Sequence, residues 1–299
     1  MTGNHPRRTG SFLCRSEIYP QTIFAWVRVI CLFILLIITL IFSLPRWRAP
    51  AVRWAKGMRH LAVPELTGSA FKRDQLTHRK VRAAYHDKEA TVRAAFAAAG
   101  VPYPNASLYF RGFKQEKLVE LWAPPAAGMS YKLIKSWPIC ALSGKLGPKR
   151  VQGDLQVPEG FYTLDQFNPE SGYLLSMRVS YPNRSDRILG DKADPGGLIY
   201  IHGNCVTIGC LPMTDGGIQE IYLAALEAHA AGQKEIPIHI FPKKLDAAGL
   251  AELQRAYASD PALLAFWETL RPGYEFFERT HHPPRVTVAS DGRYLFSED

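Results

Sequence analysis

The run from Ile23 to Leu44, "IFAWVRVICLFILLIITLIFSL", constrains this chain more than any other stretch. A helix needs about 20 apolar residues to cross a bilayer, whereas a water-soluble helix of that length keeps one polar face. Only Arg28 interrupts the run, close to one end. The pattern predicts a transmembrane helix over 23–44, with the rest of the chain folding outside the bilayer. Arg7, Arg8 and Arg15 precede the run, and Arg46, Arg48, Arg53 and Lys56 follow it. With basic residues on both flanks, the positive-inside rule does not choose an orientation. The following "SLPRWRAP" carries no small-residue cleavage pattern, which favours an uncleaved signal anchor. The residues after Arg7-Arg8 are spaced poorly for a twin-arginine signal.

The remaining chain reads as one packed domain with appendages, since 47% hydrophobic and 21% charged residues in a 299-residue protein are ordinary globular values. The formal net charge of +9 fits an acidic partner such as anionic lipid or a carboxylate-rich polymer. Nucleic acid is disfavoured, because no RNA-binding or zinc-finger signature is present. Residues 45–86 are basic and irregular and read as a tether. A helix follows, with Asp87 as N-cap, Gly100 closing it and Pro102 as a stop. From Ser107 the pattern turns to strands. "SLYFRGFKQ", "KLVELWAP", "YKLIKSWPICALS", "GFYTLDQF", "YLLSMRVSYP", "GGLIYIHG" and "EIPIHIFP" are β-rich runs separated by Gly, Pro and Asn turns. Between the last two, Thr214 is the expected N-cap of a helix closed by Gly232. Near the end, "SDPALLAFWETL" reads as a short helix with Pro261 in its first turn, and "RVTVASDGRYLF" as a hairpin through Asp291-Gly292. The fold class expected is α+β, mainly β with flanking helices. The divisions are a tail over 1–22, the anchor over 23–44, a tether and helix over 45–100, a main domain over 101–245 and a helical and hairpin extension over 246–299.

The chemistry concentrates in "IHGNCVTIGC", Ile201 to Cys210. His202 ends a strand, where side chains are held on rigid scaffolding. A cysteine attacks a carbonyl as its thiolate, and imidazole is the usual proton acceptor. A turn through Gly203 and Gly209 brings the ring back toward Cys210, and glycine at 209 lets substrate approach backbone N–H groups that stabilise an oxyanion. Three other uses of these residues stay open at this level: a Cys205–Cys210 disulfide, a metal site made from His202, Cys205, Cys210 and His239, and a pair of inert buried thiols. Cys14 and Cys31 lie in or before the apolar run, so Cys140, Cys205 and Cys210 remain, an odd number that argues against a disulfide framework.

The segment "IHGNCVTIGCLPMTD" resembles the signature of the YkuD-type L,D-transpeptidases, in which a strand ends in His-Gly and a nucleophilic cysteine follows a glycine. "SGKLGPK", "PEGFY", "SYPN", "MTD" and "IPIHIFP" occur in the family's order, from about Ser107 to Pro242, and are most similar to the YafK-like subgroup. Many members carry a second histidine two residues before the nucleophile. This chain has Ile208 there, a loss the YafK-like subgroup shares.

The resemblance implies a YkuD-like β-sandwich catalytic domain behind the anchor, with Cys210 as nucleophile and His202 as general base and later acid. Gly209, Gly203, Thr207 and Tyr200 then serve the oxyanion or the substrate, and Cys205 receives no role. No metal or organic cofactor is implied. The partners are peptidoglycan stem peptides and, for some members, a lipoprotein lysine. The implied reaction attacks the third stem residue, commonly diaminopimelate, releases D-alanine, and passes the acyl group from a thioester to an amine. The alternatives are a hydrolase of the same site that cuts the amide between diaminopimelate and a lipoprotein lysine, and, from another class, a silent wall-binding module. Such a substrate places the domain in the periplasm of a bacterium, on a single-pass inner-membrane anchor. Lys145, Lys149 and Arg150 are candidates for stem carboxylates, Tyr162 for the cleft wall and His239 for the cleft or the solvent side. His281 and His282 read as loop residues.

Overall fold

The computed structural model describes residues 68–297. The apolar run 23–44, the tail before it and the tether to residue 67 lie outside these. Among the described residues no helix is long and apolar enough to cross a membrane. The elements are α1 (Gly68–Gln75), α2 (Arg79–Ala98), β1 (Tyr109–Phe113), β2 (Leu118–Ala123), β3 (Lys132–Pro138), β4 (Gly160–Asn168) and β5 (Ser176–Val179). They continue with α3 (Arg184–Leu189), β6 (Tyr200–His202), β7 (Leu211–Pro212), α4 (Asp215–Ala230) and β8 (Ile236–Phe241). Two more helices, α5 (Ala247–Ala256) and α6 (Pro261–Thr280), lead to the strands β9 (Arg285–Val288) and β10 (Tyr294–Ser297).

The architecture is α+β around one mixed sheet of eight strands, in the order β3-β2-β1-β8-β4-β5-β6-β7. The sandwich expected from the family resemblance thus takes the form of a continuous sheet. Its two ends come together where Ile139, just past β3, bridges Met213, just past β7. Period-two alternation sends the side chains of β1, β4 and β8 to two separate cores. Ile236, Ile238 and Ile240 of β8 enter a core shared with α2 and α4, while Phe241 joins a second core with Phe113, Phe161, Trp267 and Tyr274. The second core is the footprint of α5, α6 and the β9–β10 hairpin on the outer face of the sheet.

Several boundaries differ from the expected ones for identifiable reasons. The helix expected from Asp87 begins at Arg79, with His78 as N-cap. Val81 and Ala84 are fully buried, so the apolar stripe runs a further two turns into what reads as irregular tether, and α1 precedes it. Its C-terminal end is a Schellman motif on Gly100 (φ +66°): Val101 N–H donates to Phe96 O and Gly100 N–H to Ala97 O, both at 3.0 Å. Helix α6 continues through Pro272 to Thr280, because Trp267, Leu270, Tyr274 and Phe277 extend one buried stripe past the proline. Thr214 caps α4 as expected, its Oγ1 accepting from Gly217 N–H at 3.1 Å. Helix α3 starts at a capping box between Asn183 and Asp186. The hairpin turns at Asp291-Gly292 as expected, with β9 antiparallel to β10.

One buried ion pair ties the outer loops to the sheet. Lys114 and Glu159 are 2% and 0% exposed and meet at 2.8 Å. Lys114 Nζ also donates to Gly147 O and Val157 O, at 2.8 and 2.9 Å. Glu159 accepts from Gly147 N–H and from the Trp267 indole, each at 2.7 Å. Removing one partner leaves the other charge buried without compensation, which typically costs about 3–5 kcal/mol. Lys114→Met should therefore lower unfolding stability by about that amount, read as a lower denaturant midpoint at unchanged slope.

Candidate active site

Strand β6 hydrogen-bonds to β7 in parallel, with Ile201 opposite Leu211 and His202 opposite Pro212. Continued one residue, this register sets Cys210 beside Tyr200, and the Tyr200 backbone N–H lies against the Cys210 thiol. Ile201 and Leu211 point into the first core. Alternation then turns His202 at the end of β6, and Cys210 just before β7, to the opposite, outer face, offset by two residues. The residues between the two strands, 203–210, make the whole return connection.

That connection is tied down at every turn. Gly203 is packed so closely that a Cβ there would stand 2.8 Å from Tyr173 O and 2.9 Å from Asp215 Oδ1. Asn204 N–H donates to Asp215 Oδ1 at 2.9 Å, anchoring the loop to the first turn of α4. Cys205 is bonded to Cys140 just past β3, with Cα atoms 5.4 Å apart. Thr207 Oγ1 accepts from Gly209 N–H at 3.1 Å and donates to Cys210 O at 2.9 Å. Gly209 has φ +137°, and a Cβ there would meet Gln156 O at 3.0 Å. Both the backbone angle and the close approach require glycine.

His202 is 2% exposed, and its Nδ1 lies 2.6 Å from Gly203 O. A carbonyl oxygen only accepts, so Nδ1 carries the proton and Nε2 is left with a lone pair. Tyr173 covers the ring, with centroids 4.6 Å apart at an interplanar angle of 30°. Burial lowers the His202 pKa, against the opposing effect of the Gly203 contact. Burial also raises the Cys210 pKa, opposed by the Tyr200 backbone and by Lys149. The resting pair is therefore a neutral thiol and a neutral imidazole. The thiol donates to Leu198 O at 3.8 Å and not to His202. Leu198 has φ +56° and is 76% exposed, and Val206 and Ile208 in the return connection are exposed apolar residues as well.

The disulfide corrects the expectation drawn from an odd cysteine count. Cys140 and Cys205, 65 residues apart in sequence, form the bond, and Cys210 is the free cysteine among the described residues. A Cys205–Cys210 bridge is thereby replaced. The four-residue metal alternative is dispersed as well, since Cys205 is bonded and His239 faces neither solvent nor this site. His239 is 4% exposed under α6, 2.8 Å from Tyr109 OH, and burial with Arg111 nearby pulls its pKa down to about 3.

The other candidates divide by burial and partner. Tyr200 is half-buried on β6. Thr207, expected at the substrate, has its hydroxyl engaged in the backbone turn that carries Cys210. Gly209 N–H, expected as an oxyanion donor, is held by that same hydroxyl. Lys149 is 3% exposed and pairs with Asp154 at 2.6 Å. Arg150 lies 3.2 Å from Asp186 and over the Phe266 ring, while Lys145 contributes its backbone N–H to Gln156 Oε1. Tyr162 is buried and donates to Asp186 Oδ2 at 3.0 Å, as a core residue. His281 is the αL C-cap of α6 and stacks on Trp122, and His282 packs against Tyr131. Four contributors escape sequence reasoning: Tyr173, Asp215, Cys140 and the Leu198 carbonyl. Only Asp215 had a local signal, in following the N-cap Thr214.

No family model matches the sequence. Among curated proteins, the chain is 38% identical over 196 residues to "Putative L,D-transpeptidase YafK" of Escherichia coli strain K12, an alignment that covers 65% of this chain and 75% of that protein. The same figures hold for the protein of that name from Escherichia coli O157:H7. Among solved structures, the helical cell shape determining protein Pgp2 of Campylobacter jejuni aligns at 17% identity over 66% of this chain and 80% of its own, with a TM-score of 0.37. L,D-transpeptidase 1 of Mycobacterium tuberculosis aligns at 14% identity over 45% and 61%, with a TM-score of 0.26.

The raised thiol pKa sets a labelling profile. A thiolate alkylates and a thiol does not, so iodoacetamide labelling of the Cys210 peptide should still be climbing as the pH passes the ordinary thiol value of 9.0. Peptides carrying Cys140 and Cys205 should label only after reduction. A Cys210 rate that levels off below pH 8 would show a preformed thiolate instead.

Proposed function

The chain belongs to the L,D-transpeptidase family, and from that membership we propose that it is a peptidoglycan L,D-transpeptidase in which Cys210 is the nucleophile and His202 the general base and acid. The observation that carries this reading is a free thiol just before β7, the strand paired with the one that ends in an imidazole whose tautomer is set by Gly203 O. Its substrate is the tetrapeptide stem of peptidoglycan. Residues 23–44 anchor the enzyme in the bacterial inner membrane with the fold in the periplasm, a compartment that also permits the Cys140–Cys205 disulfide.

The resting groups are both neutral, so the proton moves when substrate binds. Rotation about the Cys210 Cα–Cβ bond turns the sulfur from Leu198 O toward the ring. Nε2 takes the thiol proton as the sulfur attacks the carbonyl carbon of the third stem residue. Backbone N–H groups near Cys210 receive the oxyanion, with Gly209 N–H joining them only if it leaves Thr207. Collapse breaks the C–N bond, Nε2 gives its proton to the departing D-alanine nitrogen, and a thioester remains. An acceptor amine then attacks, its proton goes to Nε2 and onward to the leaving sulfur, and the acyl chain is transferred. A hydrolase that cuts the link between diaminopimelate and a lipoprotein lysine uses the same groups, with water as the acceptor and the lysine amine as the leaving group.

The deciding experiment incubates the full chain in detergent with tetrapeptide muropeptides and, separately, with lipoprotein-linked sacculi, followed by mass spectrometry. Loss of D-alanine with dimer formation is the expected outcome. Release of a lysine-bearing lipoprotein selects the hydrolase, and no change in either substrate returns the chain to a silent wall-binding role. Cys210→Ala should remove activity, and His202→Ala should reduce it by about 10²–10⁴-fold. Cys205→Ala should keep part of it. Because Nε2 accepts a proton only while the ring is neutral and burial lowers its pKa, the acid limb of kcat/KM should fall below the ordinary histidine value of 6.5.

A further inference from the structure

A cavity of about 630 Å³ opens between β1, β2, the turn after β8 and the C-terminal half of α6. It shares no lining residue with the His202–Cys210 site. Arg111, 2% exposed, lines it together with the rings of Trp122 and Tyr274 and with Asp246, Glu275 and Glu278. The guanidinium sits among the Phe113, Tyr274 and Phe277 rings, 4.7 to 5.0 Å from their centroids. That sandwich fixes its plane. Nη1 faces Glu120 at 3.7 Å and Nη2 holds Glu278 Oε1 at 2.7 Å. Nε, on the same edge as Nη2, is buried with no hydrogen-bond partner.

The geometry is that of a half-filled fork. A guanidinium edge presents Nε–H and Nη2–H in parallel to the two oxygens of one carboxylate. Glu278 fills one position and leaves the other empty, and its side chain is 48% exposed, so it can swing out without losing a packed environment. An orphaned buried N–H is costly, which gives a two-pronged ligand something to gain over Glu278. With Glu120, Asp246, Glu275 and Glu278 against Arg111, Lys244 and Arg279, the lining carries one more carboxylate than cations, which favours a carboxylate with an ammonium beside it over a bare one.

We propose that this cavity binds a zwitterionic amino-acid centre, free or carried on a peptide side chain, with the carboxylate across Nε and Nη2 of Arg111 and the ammonium on Asp246 and Glu275. In this arrangement Glu278 is a built-in placeholder that the ligand displaces. The site is independent of the catalytic reading, because it calls for binding without turnover.

The test titrates the full chain in detergent with meso-diaminopimelate, by calorimetry and by the indole N–H resonance of Trp122, whose Nε1 donates to Glu120 at 2.9 Å. The N,N′-diacetylated and the diamidated forms of the same probe, in which neither end keeps both charges, are compared with it. Saturable binding that moves the Trp122 signal and weakens at least tenfold for either derivative is expected. Glu278→Gln should tighten binding two- to tenfold by removing the competitor, and Arg111→Lys should weaken it at least tenfold in protein whose circular dichroism is unchanged. Cys210→Ala should bind as the unmodified chain does, so an inactive enzyme would not count against the cavity. No binding, equal binding of the derivatives, or unchanged or weaker binding in Glu278→Gln would overturn the proposal.

Discussion

The parallel pairing of β6 with β7 is the constraint on which the site depends. Parallel neighbours normally need a dozen or more residues to make their crossover. Here residues 203–210 suffice, because β6 has three residues and β7 two, and the chain has little distance to recover. So short a return leaves few backbone solutions. It is held by a glycine at each end, by Asp215 from α4, by a disulfide from the end of β3 and by Thr207 bridging the last turn. Each tether limits how far Cys210 can move relative to His202.

The scaffold beneath serves the same end. Bringing Ile139 to Met213 joins the two extremes of the sheet at the residues that flank the disulfide and the nucleophile. Outside the sheet, buried charge organises the loops. Lys114 and Glu159 hold the backbone around Gly147 against Trp267. Asp186, whose pKa burial raises to about 6, gathers Arg150, Tyr162 and the Asn183 cap. These groups gain little from their isolated ion pairs. Their effect is to fix where irregular chain runs, and that chain supplies Gln156 behind Gly209.

The parts of this arrangement that were legible in the sequence are those governed by local periodicity and turn chemistry. Alternation marked the long strands, Thr214 and Gly100 marked helix ends, Asp291-Gly292 marked the hairpin, and His202 was read at a strand terminus. The segment 79–86 was illegible because its lysine, arginines and histidine mask a stripe that only packing against α4 makes apolar. Helix α5 is hard to read locally because Gly249, a poor helix former, stands in its first turn. Cys140 and Cys205 are 65 residues apart, and only the meeting of the sheet ends makes them neighbours. Thr207 was read as facing substrate because side-chain competition for nearby backbone groups is not visible in a residue type.

The carbonyl of Gly203 has a further consequence. By holding Nδ1–H in place, it leaves the imidazole a single nitrogen with which to exchange protons. On the proposed chemistry, the departing amine and the incoming one must visit the same berth in turn, and the second cannot dock until the first has left. The enzyme would then obey ping-pong kinetics, with the two amines competing for one port.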